Sequence, residues 1–130
     1  MSIQTAAPSA RVSRLRQTLG QLHDEAGRLI QVFLASELVM RGSIYELRRK
    51  CGKPRCRCGA GELHSCMAIS WTDQDGRKRL RSIPKGQLAE FQLLSTRYQR
   101  LRKARARLIE VHARMLDVID KLEAARRKEP

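Results

Sequence analysis

Leu94, Leu101, Leu108, Met115 and Leu122 recur every seven residues, interleaved with Ala104, Val111, Val118 and Ala125. A three-four alternation of this length lays apolar side chains along one stripe of a helix and demands a partner to cover it. Neither proline nor glycine interrupts the stretch after Gly86, and Pro84 suits the entry to a helix. The pattern predicts a long helix over residues 86–127. Ile109, Leu116 and Ile119 widen its stripe toward the face of a bundle.

A second stripe supplies the expected partner. Leu15, Leu19, Leu22, Ala26, Leu29, Phe33, Ser36 and Met40 follow the same spacing, which predicts a helix over residues 10–40 with Gly20 and Gly27 as weak points. Arg41-Gly42-Ser43 ends it. Residues 1–9 are small and polar, contain Pro8, and are expected to be disordered. Between the helices the period changes. Ile44 to Arg49 reads as an extended lead-in, and Met67, Ile69 and Trp71 alternate as in a half-buried strand. Asp73-Gln74-Asp75-Gly76 supplies turn chemistry, and Arg77 to Ile83 returns with Arg77, Arg79 and Arg81 on one face.

These elements predict a mainly α protein of one domain, which 130 residues can accommodate. Two long helices form an antiparallel coiled-coil hairpin, and a small zinc-bound β-hairpin head over residues 41–85 is inserted between them. If both helices start at the head, the second overhangs the first by about eleven residues at 1.5 Å each. Val118, Ile119, Leu122 and Ala125 fall on that overhang, which predicts a homo-oligomer built through the C-terminal helix.

The head carries the chemistry. Cys51-Gly-Lys-Pro-Arg-Cys56-Arg-Cys58 is followed by Gly-Ala-Gly-Glu-Leu-His64-Ser-Cys66, five potential metal ligands within sixteen residues. Zinc takes four tetrahedral ligands from thiolate and imidazole, and the glycines and proline supply the tight backbone such loops need. Neighbouring cations favour thiolate. Cys51, Cys56, Cys58 and His64 are the expected Zn2+ ligands, with Cys66 the rival to His64. The alternative is a set of unliganded or redox-active cysteines.

The same residues resemble an uncharacterised bacterial family of small Cys-rich proteins, marked by a CGK-x-x-C-x-C segment and then H-G-P-aromatic. The match covers about residues 42–85. In that pattern Cys51, Cys56, Cys58 and His64 fall on the repeated Cys/His positions. Ser65-Cys66-Met67 stands where the family has Gly-Pro-aromatic, so Cys66 remains a candidate for the fourth position. The resemblance implies an association with mobile genetic elements and names no activity; an accessory factor in transposition or site-specific recombination, beside a recombinase or transposase, is the expectation we attach to it.

Charge narrows the partner. The chain holds 27 Lys and Arg against 13 Asp and Glu, a formal +14, and residues 41–107 hold 18 of those bases with only 5 acids. Such clustering is the footprint of a phosphate-binding surface. The expected contacts are Arg48, Arg49, Lys50, Lys53, Arg55, Arg57, Arg77, Lys78, Arg79, Arg81 and Lys85. Arg97, Arg100, Arg102, Lys103, Arg105 and Arg107 continue them along the helix. Only five residues are aromatic, so a stacking sheet is not expected, and duplex DNA is favoured over RNA.

The leading expectation is therefore a zinc-containing nucleic-acid-binding protein. The alternative is a coiled-coil interaction adaptor whose basic head docks an acidic protein surface. An enzyme is not expected, because catalytic zinc needs an open position and a general base, and Glu62 is the one carboxylate close to the ligands in sequence. With no apolar leader and no long apolar run, the chain reads as soluble and cytoplasmic, nucleoid-associated if it binds DNA, with no membrane partner.

Overall fold

A computed structural model describes residues 9–49 and 64–130, and of His64 only the backbone. The elements in chain order are α1 (Ala10–Leu34), β1 (Ser43–Arg49), β2 (His64–Thr72), β3 (Lys78–Ser82) and α2 (Leu88–Arg126). They belong to two compact units. One combines Met1–Ser36 with Leu101–Pro130, and the other is Glu37–Arg100. Among the described residues, no helix is long and apolar enough to cross a membrane.

In the first unit α1 packs on the part of α2 that begins at Leu101. Ser9 caps α1, its Oγ accepting from the Val12 amide at 3.2 Å, which satisfies one of the otherwise unpaired first-turn donors. Val12, Leu22 and Ala26 bury against Val111, Val118 and Leu122, with Leu15, Leu19, Leu29, Leu108 and Met115 at the margins. Val111 is 1% exposed. Each fully buried aliphatic side chain here contributes about 1.5–3 kcal/mol.

This packing corrects the expected coiled-coil hairpin. α1 stops at Leu34, and Ala35 is extended at φ −67°, ψ 133°, so Ser36 and Met40 leave the helical stripe. Met40 packs instead beside Ile69, Ile83 and Phe91 in the other unit, to which Leu94 also belongs. The two seven-residue stripes therefore serve two different cores and do not form one continuous seam. The expected overhang disappears with it, since Val118 and Leu122 are buried against α1.

The second unit holds a three-stranded antiparallel sheet in the order β1-β2-β3, where the sequence reading expected a two-stranded hairpin. Residues 43–49 are a full partner of β2, from Ser43 opposite Ser70 to Arg49 opposite His64. On the other side of β2, Ala68 faces Ser82 and Trp71 faces Arg79. Alternation then sorts the side chains. Ile44, Met67, Ile69, Trp71 and Ile83 share the face that packs with Phe91 and Leu88 at the start of α2. The turn is built by Asp73, whose Oδ1 accepts from the amides of Asp75 (3.0 Å) and Arg77 (2.9 Å). Gly76 completes it at φ 79°, a conformation that favours glycine.

A short extended strap, residues 37–42, lies on α2. The Met40 amide donates to the Leu94 carbonyl at 3.0 Å, and the buried Ser95 hydroxyl donates to the Gly42 carbonyl at 3.3 Å.

The expected zinc-bound head is corrected at the same point. Among the described residues, no group of three or more His, Cys, Asp or Glu side chains could hold a metal ion. Cys51, Cys56 and Cys58 lie outside the described residues. His64 opens β2, and Cys66 sits within the ladder opposite Leu47, with Sγ 3.9 Å from Ser82 Oγ. What organises the described part of this unit is strand pairing and an apolar layer against α2.

Candidate nucleic-acid interface

β3 is an edge strand with every residue exposed. Its sequence, Lys-Arg-Leu-Arg-Ser, places Lys78, Arg79 and Arg81 in five residues, with Arg77 before and Lys85 after. The register separates them. Arg79 and Arg81 lie opposite Trp71 and Ile69, on the same side of the sheet as the apolar layer, while Lys78 lies opposite Thr72 on the other side. On the far edge, Arg48 and Arg49 are exposed at the end of β1.

Some of the expected phosphate contacts already have carboxylate partners. Arg79 Nε donates to Asp73 Oδ2 at 2.8 Å, so this guanidinium helps brace the turn. That bond, with those from the backbone amides of Arg77 and Asp75, holds the Asp73 carboxyl below its ordinary range. Arg48 Nε lies 3.1 Å from Glu46 Oε1. The Glu46 carboxyl is lowered first by a hydrogen bond from Ser65 and then by Arg48. Arg97 Nε is 3.5 Å from Glu37 Oε2.

Arg107 is the most committed. In the first unit it reaches Glu25 at 2.6 and 3.1 Å and Glu110 at 3.1 Å. Hydrogen bonding to Glu25 raises the guanidinium's pKa and lowers that of the Glu25 carboxyl. It fastens α1 to α2, and its expected role as a phosphate contact is not supported by this placement.

The remaining expected cations stand differently. Among the described residues, no ion pair joins Arg49, Arg77, Lys78, Arg81, Lys85 or Arg100 of the second unit to a carboxylate, and the same holds for Arg102, Lys103 and Arg105 of the first. All nine are exposed. Lys50, Lys53, Arg55 and Arg57 lie outside the described residues.

Sequence reading used Arg41 as a helix stop and in the count of bases but did not name it among the expected contacts. In the second unit Arg41 and Trp71 wall two neighbouring hollows. One, of about 190 Å3, is lined by Met40, Arg41, Ile69, Trp71, Arg81 and Phe91. The other, of about 490 Å3, is lined by Arg41, Gly42, Ser43, Ser70, Trp71, Thr72, Lys78, Tyr98 and Gln99. The available signal was the half-buried strand period that ends at Trp71, next to a strand of arginines on the same face.

A family model described as a domain of unknown function (DUF6788) matches residues 10–93, which takes in α1, all three strands and the first turns of α2. No curated protein matches the chain, and no solved structure does.

Proposed function

The chain belongs to the DUF6788 domain family, whose description names no activity, and we propose that it is a nucleic-acid-binding protein that grips the phosphate backbone. The observation that carries this reading is the exposed edge strand β3, whose flanking Arg77 and Lys85 and internal Lys78 and Arg81 lack carboxylate partners among the described residues. Cations left without acids on an ordered surface repel one another, and a polyanion relieves that repulsion while releasing its counterions. DNA is favoured over RNA, and a role as an accessory factor in transposition or recombination, in the nucleoid, belongs to the same proposal.

Two further parts go with it. Zn2+ is proposed as a cofactor on Cys51, Cys56, Cys58 and His64, or Cys66, on the chemistry of that donor set alone. A homo-oligomer through α2 is proposed through Ile109, Leu116 and Ile119, which are 44–63% exposed. An antiparallel second copy would set Arg105 near Glu123 and so match opposite charges across the seam.

Basic residues on a sheet edge also discourage edge-to-edge pairing, and a basic surface also suits the acidic partner of an adaptor. The test is binding of nuclease-treated protein to duplex DNA, single-stranded DNA and RNA across a salt series. The proposal expects log K to fall linearly with log salt, and R77A and K85A each to reduce that slope by about 1. Aggregation of the variants with an unchanged slope would assign the charges to edge protection. No binding at low salt would leave a protein-docking surface.

A further inference from the structure

The two hollows beside Trp71 differ in size and chemistry. The smaller, of about 190 Å3, falls below the roughly 300 Å3 at which pockets begin to take drug-sized ligands, so it suits a single ring system. Met40, Ile69 and Phe91 make its walls apolar, and Trp71 offers an aromatic surface. Arg41 and Arg81 add two guanidinium groups, which donate to ring oxygens and nitrogens and attract an anion. The larger hollow shares Arg41 and Trp71, but its strand residues Ser43, Ser70, Thr72 and Lys78 belong to the opposite face of the sheet. No carboxylate lines either one among the described residues. An aromatic site for a cation would need the opposite charge.

An apolar slot for one flat ring, bordered by two arginines and by no carboxylate among the described residues, suits a nucleobase whose phosphate lies outside the slot. We infer that the Trp71–Phe91 hollow receives a single unpaired base of the bound nucleic acid, with Arg41 and Arg81 at the rim of the base slot. This rests on the nucleic-acid reading above and sharpens it. A base inside a duplex is stacked on both faces and cannot enter, so the strand engaged here is single-stranded or carries an extruded base. The cations on β3 then hold the backbone, and the slot distinguishes a strand with bases from a bare polyanion.

Trp71 is the chain's sole tryptophan, so its fluorescence reports this hollow without labelling. The experiment titrates the full chain with a single-stranded deoxyoligonucleotide of about ten residues, within the usual site size. The same sequence with abasic sugars, which keeps every phosphate, and deoxyadenosine monophosphate alone are titrated in parallel. The inference expects quenching and saturable binding with the oligonucleotide, weaker binding without quenching for the abasic strand, and little effect of the mononucleotide. W71L should bring the affinity for the normal strand down toward that of the abasic strand, about tenfold or more for the loss of stacking, and R81A, an exposed position on β3, should weaken both strands while narrowing the ratio between them. R81A keeps the test valid if W71L fails to fold. Equal affinity for normal and abasic strands without quenching would overturn the base slot while leaving phosphate binding intact. Binding of neither strand would overturn both readings. Quenching by the mononucleotide at concentrations no higher than the oligonucleotide requires would assign the hollow to a free nucleotide and overturn its role on a strand.

Discussion

Gly42 offers a sharp test of how the second unit is held together. Its φ is +151°, a conformation that side-chain-bearing residues rarely adopt. A Cβ built there would lie 2.8 Å from Ile69 Cγ1, 2.9 Å from Ile69 Cδ1 and 2.9 Å from the Ser70 carbonyl oxygen. Ile69 could yield by changing rotamer, but it is 2% exposed and sits in the apolar layer with Ile83 and Phe91. The Ser70 carbonyl belongs to the β2 backbone and cannot yield without disturbing the β1–β2 ladder. Gly42→Ala therefore combines backbone strain of about 1–3 kcal/mol with overpacking of about 1–3 kcal/mol. A loss near 3 kcal/mol, set against the usual total of about 5–15 kcal/mol, lowers a urea midpoint by about 1 M or more. Trp71 lies in the same unit, so its fluorescence follows this unfolding. Ser95→Ala, which removes only the bond to the Gly42 carbonyl, should cost roughly 1 kcal/mol. Gly20→Ala and Gly27→Ala have nothing within 4 Å of the new Cβ and lie inside α1. Each should raise stability by about 0.5–1 kcal/mol, read by the helical signal in circular dichroism. A Gly42→Ala midpoint within about 0.2 M of the parent would refute both the close approach of the strap to β2 and the need for glycine there.

The other expectations address the first unit and the cysteines. Val118→Asp should unfold the α1–α2 packing, since Val118 is 5% exposed, whereas Leu116→Asp, at 63% exposure, should leave helicity unchanged. If α2 mates with a second copy, Leu116→Asp should also lower the sedimentation coefficient; an unchanged value would end that proposal. The Glu25 carboxyl is lowered from 4.5 by the Arg107 bond, so its stabilisation is present above the unfolded pKa and lost as pH falls through the folded one. Acid titration by circular dichroism should show the parent losing more stability than Glu25→Gln below about pH 4.5; parallel curves would deny the Glu25–Arg107 contact. Elemental analysis of the purified chain should return about one zinc per chain, falling in Cys56→Ser. A metal-free parent that keeps its salt-dependent binding would remove zinc from the account.

Legibility in the sequence followed the range of the interactions involved. The β2–β3 hairpin was readable because both its signals are local: Met67, Ile69 and Trp71 alternate, and Asp73 and Gly76 carry their own turn chemistry. The body of α2 was readable for the same reason. The end of α1 was not. Spacing alone cannot distinguish Leu29, which packs in the helical cluster, from Met40, which leaves the helix for the sheet's apolar layer. That choice is made by partners far along the chain, the Leu94 carbonyl and Phe91 among them. Gly42 misled in the same way, reading as a helix stop when its absent side chain serves contact with a strand 27 residues later. At the candidate interface, composition gave the number of cations but not their employment. Arg107 and Arg77 look alike in sequence, yet the first is bound by two glutamates and the second has none among the described residues. A charge run names a partner class only after its internal ion pairs have been subtracted, and here the subtraction removes Arg97 and Arg107 from the helix and Arg79 from the edge strand. It also brings in Arg41 and Trp71, which no count of charges would have chosen. Their contribution comes from the two hollows they share, and a hollow is a property of packing that no short window of sequence contains.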